Sequence, residues 1–211
     1  MTDFEVLSKA VETGDDKKVV ELVNGELQDG VKPIDVLEQG LVPGVQALGK
    51  LFKDGQVYLP EILISVRAMN KGVEIVKPLL AGSDIKSKGT VVLGSVEGDL
   101  HDIGKNLVKM MLESNGFTVV DMGVDVAADS FVSAAKDNNA DIIAMSSLLT
   151  ITMAEMEKIS KAVEEAGLKP RVKCLIGGAP VTREYADSIK CEGFAEDCAS
   201  AVDEAQRLMT L

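Results

Sequence analysis

The chain has no tryptophan, two tyrosines, five phenylalanines and a single histidine, His101. With aromatic residues at only 3% of 211 positions, its cores must be aliphatic. Cations are also scarce: 22 Lys and Arg against 34 Asp and Glu leave a formal charge of −12. Binding nucleic acid requires clustered cations to neutralise phosphates, and an anionic membrane repels an acidic surface, so neither is an expected partner. No apolar run approaches the roughly 20 residues a membrane-spanning helix needs, and no basic-then-apolar leader opens the chain. Three cysteines, Cys174, Cys191 and Cys198, are too few and too scattered for a disulfide framework or a zinc site. At 46% hydrophobic and 27% charged residues the composition is that of a globular protein, with the cytoplasm as its expected location.

Two rhythms divide the chain. Residues 1–82 show helical periodicity only: Phe4, Leu7 and Val11 share one face, as do Val19, Leu22, Val23 and Leu27 after an N-cap at Asp15. A third helix starts with Pro33 at its first position and runs on through Phe52, with a bend expected at Pro43. A last helix carries Ile62, Leu63, Val66, Met69, Val73, Val76 and Leu80 along one stripe. Together these predict a four-helix bundle. Residues 83–89, polar and without periodicity, form the expected linker. From 90 to 211 short apolar runs alternate with helices that begin near Ile103, Ala128, Thr152, Thr182 and Cys198. Five such β-α units predict a flavodoxin-like (Rossmann-type) five-stranded parallel sheet, order 2-1-3-4-5, covered on both faces.

That order locates a crevice, because ligands of such sheets bind beyond the carboxyl ends of strands one and three, where the winding reverses. The loops there read "EGDLHDIG" and "SSLLTIT", and the loop after strand four reads "GGAP". They bring His101, the hydroxyls of Ser146 and Thr150, and the side-chain-free wall of Gly177 and Gly178 around one opening.

Several chemistries of this fold fail on residue type. The glycine fingerprint of a dinucleotide site is absent after strand one, strand three ends in "MSS" rather than a phospho-acceptor aspartate, and no G-x-S-x-G occurs. One histidine among carboxylates cannot make a zinc site. A metal already held by a macrocycle needs only one protein donor, which suits a single imidazole. Its second ring nitrogen should bind a carboxylate, and Asp99 stands two positions before it, with Gly104 where a ligand would crowd the backbone. Simpler roles stay open: Asp99 and Asp102 as helix-start acids, Ser146 and Thr150 as strand-end and cap residues, the methionines as core filler.

These residues carry a resemblance. "DLHDIG" resembles the D-x-H-x-x-G motif of cobalamin-binding domains, and S-x-L from Ser146 to Leu148 and the pair Gly177–Gly178 resemble that family's other two motifs, in order. "GLVPGVQALGKLF" and "VYLPEILISVRAM" resemble the cap domain of corrinoid methyl-carrier proteins, so the similarity covers nearly the whole chain and extends to the cobalamin-binding module of methionine synthase. The resemblance implies cobalamin or a related corrinoid as cofactor, with methylcobalamin as the intermediate form. It implies a base-off arrangement in which His101 is the cobalt ligand in place of the cofactor's own base. The cofactor contacts it implies are Gly98, Asp99, His101, Asp102, Ile103, Gly104, Ser146, Leu148, Thr150, Gly177 and Gly178. Thr152 stands where the family often has a hydroxyl extending the His–Asp relay, whereas Phe194 replaces a common tyrosine, so no polar contact is carried over there.

By the same resemblance the chain is a non-catalytic carrier of a methyl group between a substrate:corrinoid methyltransferase and a second methyltransferase, served by a reductive activator of cobalt. The helical part would shield the methyl group, with the linker as hinge. A corrinoid-dependent sensor or regulator, or the small subunit of an adenosylcobalamin mutase, is the alternative.

Overall fold

The computed structural model describes residues 4–80 and 87–211, which fall into two compact units dividing between Lys86 and Ser87. Residues 83–86 of the expected linker lie outside the described residues.

The first unit is a helical bundle of α1 (Phe4–Glu12), α2 (Asp16–Gln28), α3 (Pro33–Asp35), α4 (Val42–Lys53) and α5 (Leu59–Val76). Asp15 caps α2, its carboxylate accepting the Lys18 amide at 3.0 Å. The bend expected at Pro43 takes the form of a π-helical turn over Val36–Leu41, in which the Val42 N–H reaches five residues back to the Leu37 carbonyl. Proline cannot donate to the carbonyl four residues before it and its ring crowds that group, and a wider turn relieves both. Leu7, Val11, Val19, Val23, Val45 and Ile62 are fully or almost fully buried, an aliphatic core as the composition requires. Leu63 departs from expectation: it is exposed, because it sits about a quarter of a turn round α5 from the buried row Ile62–Val66–Met69. Burial of Met69 assigns it to the bundle core, whereas Tyr58 and Leu59 are exposed.

The second unit holds the sheet: β1 (Thr90–Ser95), β2 (Thr118–Asp121), β3 (Ile142–Ser146), β4 (Lys173–Gly177) and β5 (Gly193–Ala195), all parallel, in the order β2-β1-β3-β4-β5. Helices α6 (Ile103–Ser114), α7 (Ala128–Asp137), α8 (Met153–Glu165), α9 (Arg183–Ser188) and α10 (Cys198–Leu208) alternate with the strands. Helix α6 packs with α10 and α7 with α8, so both faces are covered. Val92, Ile143, Met145, Cys174 and Ile176 point into one core with Phe131, Met156 and Ile159, while the intervening Val91, Ile142, Ala144 and Leu175 are buried on the other face. Such two-sided burial gives the strands their unbroken apolar runs. Register aligns Ser95 with Ser146 and Ser146 with Gly177, so the loops after β1, β3 and β4 leave the sheet side by side.

Candidate functional site

The loop after β1 is held by its own backbone and by short polar side chains. Gly98 turns in the left-handed region at φ +79°, and its N–H donates to Asp125 Oδ1 at 2.7 Å. Asp125 N returns a bond to the Asp99 carbonyl at 3.1 Å. The buried Ser95 hydroxyl donates to the His101 carbonyl at 2.6 Å, fixing the far side of the loop. Neither Ser95 nor Asp125 stood out in the sequence, where each reads as an ordinary strand-end or turn residue.

Asp99 is completely buried and organises the site. Its Oδ1 accepts the His101 amide at 3.0 Å and faces His101 Nδ1 at 2.8 Å. Its Oδ2 accepts the Leu148 amide at 2.7 Å and the Thr152 hydroxyl at 3.1 Å. Burial pushes its carboxyl up, but the bonds from Leu148, His101 and Thr152 outweigh burial and hold it at about 2. An ionised carboxylate can only accept, so Nδ1 of the neutral imidazole carries the proton and Nε2 keeps its lone pair. His101 is half exposed, which leaves that lone pair open to a ligand. The open role of Asp99 as a helix-start acid is thereby excluded, since its carboxylate serves the two loops. Asp102 is at the N-cap of α6, yet its side chain bonds Asn106 Nδ2 at 3.1 Å rather than capping the helix.

Thr152, itself buried, links Asp99 to a further hydroxyl: Ser147 Oγ lies 2.8 Å from Thr152 Oγ1. Ser147 was not anticipated. The motif draws attention to Ser146, but side chains alternate along β3, and the second serine of "SS" is the one that meets Thr152. Ser146 ends β3 half-buried and Thr150 is exposed, and among the described residues neither hydroxyl bonds to the relay. The structure therefore joins Asp99, His101 and the Leu148 backbone into one cluster and leaves Thr150 apart from it.

The glycines differ in what requires them. A Cβ on Gly177 would lie 2.8 Å from the Ala195 carbonyl oxygen, and one on Gly178 would overlap that of Ser147. Both are needed by the chain's own packing, and Gly178 also adopts φ +131°. A Cβ on Gly104 would meet nothing within 4 Å, so its missing side chain leaves open space above the start of α6. The two loops tied together by Asp99, with the first residue of α6, expose Leu100, Ile103, Leu148, Leu149 and Ile151, the last to 80%. Five large aliphatic side chains exposed on two adjoining loops and the start of α6 suit a binding surface better than ordinary scatter.

The residues fit a planar, metal-centred macrocycle. The imidazole offers one oriented nitrogen, the aliphatic side chains match a broad apolar ring, and Gly104 leaves room for close approach. Among the described residues there is no group of three or more His, Cys, Asp or Glu side chains able to hold a bare metal ion. The donor set therefore suits a metal that arrives with its equatorial ligands in place.

Fold and site together define a cofactor-binding α/β protein with a helical N-terminal unit. Comparison with known proteins gives the cofactor class. Residues 89–206 match a family described as "B12 binding domain", and residues 4–77 match a second family of the same description. Trimethylamine corrinoid protein 1 of Methanosarcina acetivorans is 38% identical over 210 residues, covering 97% of both chains. Dimethylamine corrinoid protein 1 of the same organism is 42% identical over 191 residues, 90% of this chain and 88% of its own. Among solved structures, a chain of the methanol:cobalamin methyltransferase complex MtaBC from Methanosarcina barkeri superposes with a TM-score of 0.85 at 31% identity, covering 97% of this chain and 78% of that one. A cobalamin-binding protein from Desulfitobacterium hafniense gives 0.84 at 26% identity, with 99% of each chain covered. The chain belongs to the family of corrinoid proteins that carry these two B12 binding domains, and its cofactor is a corrinoid.

No helix among the described residues is long and apolar enough to cross a membrane.

Proposed function

We propose that the protein is the methyl carrier of a corrinoid-dependent methyltransferase system and would hold its cofactor base-off, with His101 as the ligand to its cobalt. One observation carries the reading: the Asp99 carboxylate 2.8 Å from His101 Nδ1 commits that nitrogen to its proton, and the half-exposed ring keeps the lone pair of Nε2 for a ligand. When bound, the corrinoid supplies a cobalt centre at which a methyl group is taken up and released. Asp99 orients the imidazole and tunes its basicity through the Nδ1–H bond. The proton stays on Nδ1 while the ring is neutral, and burial of Asp99 keeps water from competing for that bond. Gly98, Asp102, Ile103 and Gly104 would contact the bound corrinoid beside His101. Ser146 and Thr150 are proposed to hold the cofactor's detached nucleotide tail beside Leu148 and the Gly177–Gly178 turn. The half-buried Ser146 hydroxyl, without an internal partner among the described residues, supports that role.

Residues 1–82 are read as a cap domain and 90–211 as the cofactor domain, joined by 83–89. The partners proposed are a substrate:corrinoid methyltransferase, a second methyltransferase that takes the methyl group on, and a reductive activator. Relatives named for trimethylamine and dimethylamine favour a methylated amine as the donor. The ligand assignment is tested by electron paramagnetic resonance of the cobalt(II) form. Because the chain has one histidine, labelling that amino acid with nitrogen-15 marks His101 alone. The axial nitrogen splitting should change from a triplet to a doublet on labelling and vanish in His101→Ala. A splitting indifferent to both would assign the nitrogen to the cofactor's own base and overturn the reading. Carrier function is checked by methyl uptake from a methylamine-specific methyltransferase, with no turnover by this chain alone.

A further inference from the structure

We infer that Ser147 is a positioning residue for His101, acting through Thr152 and Asp99 and linking the imidazole to the Gly177–Gly178 turn. The inference rests on the reading of His101 as the metal ligand and adds a member to its support.

Thr152 Oγ1 has one hydrogen and two acceptors in reach, Asp99 Oδ2 at 3.1 Å and the Leu149 carbonyl at 3.0 Å. The Leu149 carbonyl already receives the Thr152 amide at 3.1 Å, whereas both oxygens of Asp99 accept backbone N–H donors, the pattern of a carboxylate in a buried site. Hydrogen bonds to a charged acceptor are about twice as strong as neutral ones, so the Thr152 proton goes to Asp99. That leaves a Thr152 lone pair facing Ser147 Oγ at 2.8 Å, a contact that requires a proton between the oxygens. Only Ser147 can provide it, although the Leu149 carbonyl lies 3.1 Å from the same hydroxyl. The direction of donation is thus fixed: Ser147 to Thr152, Thr152 to Asp99 Oδ2, and His101 Nδ1 to Asp99 Oδ1. A donor behind Thr152 polarises its O–H and strengthens its bond to the carboxylate, drawing charge away from the oxygen that faces the imidazole.

Backbone contacts hold Ser147 in place. Its residue is 1% exposed, its N–H donates to the Gly177 carbonyl at 3.2 Å, and its own carbonyl fills the space beside Gly178. Any displacement of the Gly177–Gly178 turn therefore moves Ser147 and, through three hydrogen bonds, reorients His101.

The test uses the full chain without cofactor, at a pH where the imidazole is neutral. Nitrogen-15 resonances of the sole histidine are read by long-range correlation from its ring protons. Ser147→Ala should shift Nδ1 downfield, because an Asp99 with a weaker donor on Oδ2 draws more strongly on the Nδ1–H. Thr152→Val should shift it further in the same direction. The double variant should match Thr152→Val alone, since Ser147 acts only through that hydroxyl. Ser147→Cys, of similar volume and weaker as a donor, should fall between wild type and Ser147→Ala. An unmoved Nδ1 in Ser147→Ala, or additive shifts in the double variant, would overturn the inference. Either result is independent of the nitrogen-15 splitting in the loaded protein, which judges the ligand assignment itself.

Discussion

Replacing Asp99 by asparagine keeps the shape of the side chain and removes the property on which the site depends, four accepted hydrogen bonds. The carboxylate receives Leu148 N, His101 N, His101 Nδ1 and Thr152 Oγ1 at 2.7–3.1 Å. An amide has one accepting atom and one donating group, so it meets these partners in one of two ways. With its oxygen toward His101, the amide NH2 confronts the Leu148 N–H. With its oxygen toward Leu148, the NH2 confronts the His101 N–H and converts Nδ1 into an acceptor, which moves the ring proton to Nε2. Either way one backbone N–H faces another donor in a site from which Asp99 excludes water. An unsatisfied buried donor costs about 1–3 kcal/mol, and weakening of the remaining charge-assisted bonds brings the total to about 2–4 kcal/mol. For a unit of this size the melting temperature should fall on the order of 10 °C. Nitrogen-15 spectra of the single imidazole should show a mixture of both tautomers where wild type shows the Nδ1–H form only. Corrinoid affinity should fall with the fraction of rings whose Nε2 is protonated. An Asp99→Asn protein that melts within 2–3 °C of wild type and keeps a pure Nδ1–H imidazole would refute the hydrogen-bond accounting (about the change expected for less than 1 kcal/mol).

Two further predictions concern the scaffold. Ser65 in α5 is fully buried and its hydroxyl has no partner among the described residues, so Ser65→Ala should stabilise the bundle by about 1 kcal/mol, read as a higher chemical-denaturation midpoint at unchanged slope. Glu204 is held at about 2 by Arg207 against the opposing effect of burial, with further help from Arg183 and the Phe194 amide. Its folded value lies below its unfolded one, so its contribution is complete above about pH 4.5 and is lost as the pH falls toward 2. The arginines are nearly half exposed and screened by salt, which brings the effect down to about 1–2 kcal/mol. Thermal melts of Glu204→Gln should therefore match wild type near pH 2 and fall below it near pH 7.

Much of the architecture was legible in the chain because local patterning and topology agree. The unbroken apolar runs of β1, β3 and β4, each followed by a helix start, leave few arrangements other than a parallel doubly wound sheet. Its winding then places the loops carrying His101, Ser146 and Gly177 side by side. Pro43 showed where the third helix would be disturbed but not how, since a bend and a π-helical turn both relieve a missing N–H. Leu63 looked like a core residue because a 3.6-residue period admits two adjacent positions on one stripe, and only the neighbouring helices decide which of them is covered.

The sequence by itself determined the type of site: one imidazole, a carboxylate two residues away, and too few other donors for a bare metal. The resemblance pointed to Thr152 as the hydroxyl beside Asp99, and tertiary structure alone decided that Ser147 rather than Ser146 stands behind it. Thr152 reaches Asp99, and Ser147 reaches Thr152, because β3 runs beside β1 and the chain turns back at Leu149, which joins positions about fifty residues apart. It also decided why Gly177 and Gly178 lack side chains, since the atoms that fill those spaces come from β5 and from the loop after β3. Residue chemistry is written locally, but the pairing of donors with acceptors depends on distances that exist only once the strands lie in register.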